Sequence, residues 1–172
     1  MKYSSLILFL FVLGCDTPRI VTSAVPEVDF NNYATYQVAE TQDQANITHP
    51  SYDNPTNRGI LIQAINDEMQ KLGYSYDLNK PDLIVMYNLV ITEMVDPRYD
   101  SAVVYKPWVD TQLDSFNYTE GIMVVKLIDF EQSEMIWQGS VTGILDQSPD
   151  KFEKLIRKDV GKLFAMLKEQ KE

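Results

Sequence analysis

The chain has little of what catalytic and metal-binding proteins use. Its 172 residues include one cysteine, Cys15, and one histidine, His49. A single cysteine leaves no internal disulfide, and one histidine beside it excludes the Cys- and His-rich tetrahedral sites that hold zinc. The seven glycines are dispersed, so no glycine-rich loop is present to cradle a phosphate. No G-x-S-x-G turn occurs. A Ser-His or Cys-His nucleophile would have to use His49, which sits in a polar, proline-bearing stretch from Glu40 to Asn57. Positive charge is scarce too, with 15 Lys and Arg against 25 Asp and Glu, for a net charge of −10. That balance argues against nucleic acid, whose phosphates need a basic face, and against electrostatic docking on anionic lipid. The acids Asp96, Asp100, Asp110 and Asp114 lack the alternation and central glycine of an EF-hand loop. The sequence therefore predicts no cofactor, no metal ligand and no catalytic residue, hence no enzyme. Composition leaves only paired-carboxylate chemistry open.

Long apolar runs are missing as well. The N-terminal run from Leu6 to Leu13 is eight residues, too short to span a bilayer and suited to the core of a signal peptide. Lys2 precedes it, and Val12-Leu13-Gly14-Cys15 closes it. This ending resembles a bacterial lipobox, with Leu13 a tolerated variant. The resemblance implies a signal peptide over 1–14, cleavage after Gly14, and a diacylglycerol with palmitate-type chains on Cys15. Residues 15–19 would form a short tether. Each buried methylene contributes about 0.8 kcal/mol, and two or more chains anchor stably, so such a lipid holds a domain at a membrane without a transmembrane helix. The expected location is the bacterial cell envelope, on the outer membrane facing the periplasm.

Residues 20–172 read as a single domain, a length that supports its own core. The segment Glu120 to Leu145 reads as two strands and a tight reversal at Glu131-Gln132-Ser133-Glu134. Met123, Val125 and Leu127 face one way, and Ile122, Val124, Ile128 and Phe130 the other. A strand apolar on both faces is expected inside a sheet covered on both sides. Gly139 and Gly143 mark a bulge or a close backbone approach in the return strand, and Trp137 reads as a packing residue. Further strands are expected at Ile20 to Val25, Ala34 to Ala39 and Asp82 to Val95, with an Asp29-capped turn between the first two. Leu83, Val85, Tyr87, Leu89 and Ile91 make one face of the Asp82–Val95 strand.

Two amphipathic helices are expected. Arg58 to Leu72 carries Ile62, Ile65, Met69 and Leu72, with Gly73 as its C-cap. The second starts at Pro149 behind an Ser148 N-cap, carries Phe152, Leu155, Ile156, Val160, Leu163, Phe164 and Leu167, and frays from Lys168 onward. The fold expected is α+β, a two-layer sandwich with a mostly antiparallel sheet of about five to six strands and two helices on one face.

The connection from Asp96 to Thr119 is long for a compact domain, which marks it as functional or as partly ordered into an extra hairpin, and it holds Tyr99, Tyr105, Trp108, Phe116 and Tyr118, a candidate interaction surface. Two helices cover one face only, which leaves Ile84, Met86, Val90, Ile122, Val124 and Ile128 on the other. Either the 96–119 segment folds over that face, or the face and the loop aromatics form a pocket for a small apolar molecule or lipid. The first reading makes the domain a structural or protein-interaction module with an envelope protein as partner. The second makes it a binding module. A homodimer or partner strand completing the face is a third.

Several short stretches together resemble the family named only as domain of unknown function 4136, found in bacterial envelope lipoproteins. They are Asp29-Phe30 with Tyr33, Thr35 and Tyr36; Leu72-Gly73-Tyr74; Pro81-Asp82-Leu83-Ile84-Val85; Tyr118-Thr119-Glu120-Gly121 leading to Leu127-Ile128-Asp129; and Ile136-Trp137-Gln138-Gly139 before the closing helix. The resemblance implies a two-layer α+β domain on a lipid anchor and brings no catalytic residues. The 96–119 segment departs from it in containing no glycine.

Overall fold

The computed structural model describes residues 18–40, 49–98, 114–145 and 151–171. The expected leader, Cys15, Tyr99, Tyr105, Trp108 and the Ser148-Pro149 helix start lie outside the described residues. Six strands form one mixed sheet: β1 (Arg19–Ala24), β2 (Thr35–Glu40), β3 (Ser75–Tyr76), β4 (Leu83–Arg98), β5 (Asp114–Asp129) and β6 (Glu134–Ile144). Their spatial order is β1-β6-β5-β4-β2-β3. The β1–β6, β6–β5 and β5–β4 pairs are antiparallel, and β2 is parallel to both β4 and β3. Two helices, α1 (Pro55–Lys71) and α2 (Phe152–Lys171), pack against each other. They cover one face of the sheet, and the α+β sandwich is the fold expected.

Alternation along the strands decides which face is buried. Leu83, Val85 and Tyr87 of β4 and Met123, Val125 and Leu127 of β5 are buried beneath Leu61, Ile65 and Met69 of α1 and Val160, Leu163, Phe164 and Leu167 of α2. Trp137 is fully buried there, its ring 6.2 Å from that of Phe164. The β5–β6 register runs from Glu120↔Ile144 to Leu127↔Trp137, then slips by one residue so that Ile128 faces Met135. The bulge therefore lies opposite Leu127 and Ile128, and neither flagged glycine makes it. Gly139 is a close approach: a Cβ there would lie 2.5 Å from Leu163 Cδ1. The reversal runs from Phe130 to Ser133, with Ser133 at φ +56° and Asp129 Oδ1 accepting from the Gln132 N–H at 2.8 Å.

Two helix boundaries differ from expectation, each for a local reason. α1 begins at Pro55 because the Asn54 side chain accepts from the Asn57 N–H at 3.0 Å, and proline suits the first helical position. α2 does not fray at Lys168. Lys171 Nζ donates to the Leu72 carbonyl at 2.8 Å and lies 4.0 Å from the centre of the Tyr74 ring, which ties the end of α2 to the end of α1.

The segment from Asp96 to Thr119 does not start as a loop. Met94–Arg98 pair with Asp114–Tyr118, so β4 and β5 continue as a two-stranded ribbon past the last residues that β2 and β6 pair with. Pro97 is tolerated because β4 has lost its β2 neighbour at that point. The described ends of the segment thus lengthen the hairpin and do not turn back over the second face. On that face Ile84, Met86, Ile122, Val124 and Ile128 are half-buried, and Val90 is 43% exposed. The central strands are therefore covered on one side only, among the described residues, where their two-sided apolar pattern predicted both.

Candidate binding cavity between the sheet and the helices

A cavity of about 450 Å³ lies on the covered face of the sheet, within the size range of small-molecule sites. Its origin is legible in the strand register. Gly121 of β5 pairs with Gly143 of β6, so two neighbouring positions on the sheet place no side chain beneath the first turns of α2. A Cβ at Gly143 would meet nothing nearer than Pro18 Cβ at 3.7 Å, whereas one at Gly121 would touch Leu145 Cδ1 at 3.0 Å. The room is thus on the Gly143 side, toward the start of β1.

The walls come from separate elements. α1 supplies Leu61, β4 Leu89, β5 Met123 and β6 Val141, while Phe152, Leu155 and Ile156 descend from α2 at helical spacing. The Phe152 ring meets Tyr52 edge-on at 5.3 Å, and the Tyr52 hydroxyl donates to the Leu145 carbonyl at 3.1 Å, which braces that corner. At the rim stand Pro18 and the exposed cations Arg19 and Lys158, with half-buried Glu120 beside them.

One polar group is out of place. Asp159 lies on the apolar face of α2, three residues after Ile156 and four before Leu163, and is 8% exposed. Its Oδ1 atom has no hydrogen-bond partner among the described residues. Burial pushes the carboxyl above its ordinary range, while Lys162 and Lys158 pull it down. Buried carboxylates are normally paired, and an unpaired one carries a desolvation cost.

Of the residues expected to form an interaction surface, Tyr99, Tyr105 and Trp108 lie outside the described residues, and Tyr118 does not line this cavity. Tyr118 is half-buried on β5 opposite Met94, and Phe116 is opposite Asp96 on the ribbon, away from the cavity-lining segment of β5. His49 lies near Glu93, its Nδ1 atom 3.9 Å from the carboxylate, and does not reach the cavity either. This cavity lies on the side of the sheet opposite the open face, where the loop aromatics expected to complete a pocket, Tyr99, Tyr105 and Trp108, fall outside the described residues. The sequence signal that could have found the cavity is Asp159, an acid within the apolar stripe of the last helix that the sequence reading passed over. Among the described residues no three His, Cys, Asp or Glu side chains are grouped as metal ligands, and no helix is long and apolar enough to cross a membrane.

The family model for the domain of unknown function DUF4136 matches residues 20–166. The chain belongs to that family. The match spans α1, all six strands except Arg19 of β1, and α2 as far as Met166, and so takes in the cavity walls apart from Pro18 and Arg19. No curated protein matches the chain in sequence. Among solved structures, a PDZ domain protein from Parabacteroides distasonis is similar over 84% of this chain, at 16% identity and a TM-score of 0.55. The chain spans about a third of that protein, 34% of its length. PelC from Paraburkholderia phytofirmans, solved as a dodecamer, is similar at 11% identity and TM-score 0.41, covering 86% of this chain and 97% of its own. A minor lipoprotein from Acinetobacter baumannii has 7% identity and TM-score 0.41, with coverage of 81% and 92%.

Proposed function

We propose that this DUF4136 domain is a lipid-anchored protein of the bacterial envelope that binds a small apolar or amphiphilic molecule, without catalysis. The observation that carries the reading is the place of the cavity. Its rim includes Pro18 and Arg19, and Pro18 lies three residues after Cys15. An extended chain covers at most about 3.3–3.6 Å per residue, so a lipid on Cys15 would hold the cavity mouth within about 11 Å of the bilayer surface. A site lined by Leu61, Leu89, Met123 and Ile156 at that height suits a molecule that partitions into membrane. The lipobox-like Val12-Leu13-Gly14-Cys15 supports the anchor, and outer-membrane attachment facing the periplasm is the placement proposed.

The test combines anchor and cavity. Labelled palmitate should enter the wild-type chain and not Cys15→Ser. A neutral dye that fluoresces in apolar sites should bind residues 18–172 saturably with a single site. Gly143→Leu, which fills the roomy side of the floor, should lower dye affinity at least about tenfold while leaving the fold intact. Dye binding that is absent, or that Gly143→Leu leaves unchanged, sinks the cavity reading.

The open face of the sheet supports a second reading, docking of another envelope protein. Ile84, Met86, Val90, Ile122 and Val124 lie there in register across β4 and β5, uncovered among the described residues. Crosslinking in intact cells tests it. A protein captured by wild type and lost in Val90→Lys supports docking there, and equal capture by both argues against it.

A further inference from the structure

A purely apolar ligand would leave the buried Oδ1 atom of Asp159 without a hydrogen bond, as it is now. Asp159 Oδ1 makes no hydrogen bond among the described residues although Thr142, Arg19 and Lys158 line the same cavity, and the wall side chains of Leu61, Leu89, Phe152, Leu155 and Ile156 are apolar. The two cations that line the cavity, Arg19 and Lys158, are exposed, so water and salt screen them, whereas Asp159 is desolvated and its attraction is correspondingly stronger. A carboxylate in such surroundings is best satisfied by a charged N–H donor brought by the ligand.

We propose that the cavity takes an amine-bearing amphiphile, its apolar body against Leu61, Leu89 and Ile156 and its ammonium group hydrogen-bonded to Asp159. This rests on the cavity reading above and names the ligand class for it. The same chemistry has two sources near an anchored domain: a lipid with a primary-amine headgroup, or a free alkylamine. The carboxylate serves both alike. Raised by burial, Asp159 is held ionised by the bound ammonium, which replaces the solvation that folding removed.

The test uses the full chain in nanodiscs of phosphatidylcholine, which has no N–H in its headgroup, with empty discs as the blank. Calorimetry compares octylamine, octan-1-ol and octanoate at pH 7. Octylamine is expected to bind at least about tenfold more tightly than the alcohol, and octanoate more weakly than either. In Asp159→Asn the amine preference should fall to within about threefold while octan-1-ol binding is retained, with circular dichroism checking the fold. Equal binding of amine and alcohol by wild type overturns the amine assignment and leaves the cavity reading standing. Binding of none of the three overturns both. An amine preference that survives in Asp159→Asn also overturns the assignment. A repeat in discs containing phosphatidylethanolamine separates the sources. Weakened octylamine binding there shows a membrane lipid competing for the site, and unchanged binding shows a free amine as the ligand, the amine assignment being supported either way.

Discussion

Asp82 and Thr35 hold each other by hydrogen bonds in both directions. The Asp82 N–H donates to Thr35 Oγ1 at 2.9 Å, and Asp82 Oδ2 accepts from the Thr35 N–H at 2.9 Å and from the Ala34 N–H at 2.8 Å. The clasp fixes the register at which β2 enters beside β4, where no hairpin does so. Those backbone donors hold the Asp82 carboxyl below its ordinary value. The stabilisation is therefore complete above the unfolded value, about pH 4, and is lost as pH falls through the lower folded value. Asp82→Ala should cost about 1–2 kcal/mol near pH 7 in urea unfolding, and the gap from wild type should close below about pH 4. A gap independent of pH would contradict the account.

Asp159 should behave with the opposite sign. Its folded value is raised, so the folded state binds the proton more tightly, and wild-type stability rises as pH drops from the folded value toward about 4. Without ligand, Asp159→Asn should be more stable than wild type by about 1 kcal/mol at pH 7, with the difference vanishing toward pH 4. Paired urea titrations at the two pH values measure it.

Gly139 and Gly143 stand four residues apart on the same face of β6, yet they should respond differently. A Cβ at Gly139 would lie 2.5 Å from Leu163 Cδ1 and 2.6 Å from Trp137 Cη2, while at Gly143 the nearest atom is 3.7 Å away. Gly139→Ala should destabilise by about 1–3 kcal/mol through overpacking of the core. Gly143→Ala should be neutral or slightly stabilising, because the strand conformation there suits a side chain. Thermal melts of the two variants decide it.

Tyr33 donates to Asp129 Oδ2 at 2.9 Å, joining the turn before β2 to the end of β5 across most of the sequence. Desolvation and the Asp129 carboxylate push the Tyr33 hydroxyl up to about 12. Tyr33→Phe should cost about 1.5 kcal/mol, since Asp129 Oδ2 loses this donor while Oδ1 keeps the Gln132 N–H at 2.8 Å. Spectroscopic titration of wild type should show Tyr33 and Tyr74 ionising well above the ordinary value near 10, with one of these high transitions lost in Tyr33→Phe.

These joints explain what was legible. The stretches that mark the family are the ones that close the fold: Asp29 caps the turn at Phe30, Tyr33 reaches Asp129, Thr35 clasps Asp82, and the Tyr36 hydroxyl donates to Asn66 Oδ1 at 2.9 Å. Gly73 at φ +92° ends α1, and the Tyr74 hydroxyl donates to the Phe30 carbonyl at 3.1 Å. Such short polar and turn residues act locally or through register, so the element order and the helix-covered face followed from sequence. The cavity did not, because it depends on Gly121 and Gly143 meeting across a ladder and on α2 crossing above them. Asp159 was the one visible trace, an acid at an apolar position of a helix. Partial order of the 96–119 segment as a hairpin was one of the readings its length allowed, but that Met94–Arg98 and Asp114–Tyr118 simply extend β4 and β5 was not legible, because the proline and acids there look like loop and pairing of the two strands overrides them.

Methyl-resolved NMR tests the central claim most directly. Residues 18–172, which hold the core cluster found among the described residues, are labelled at Ile, Leu and Val methyls and titrated with octylamine. The account predicts shifts at Leu61, Leu89, Leu145, Leu155 and Ile156, with Ile84, Ile122 and Ile128 on the open face unmoved. Shifts confined to the open face, or none at the cavity-lining methyls at saturating ligand, would contradict it.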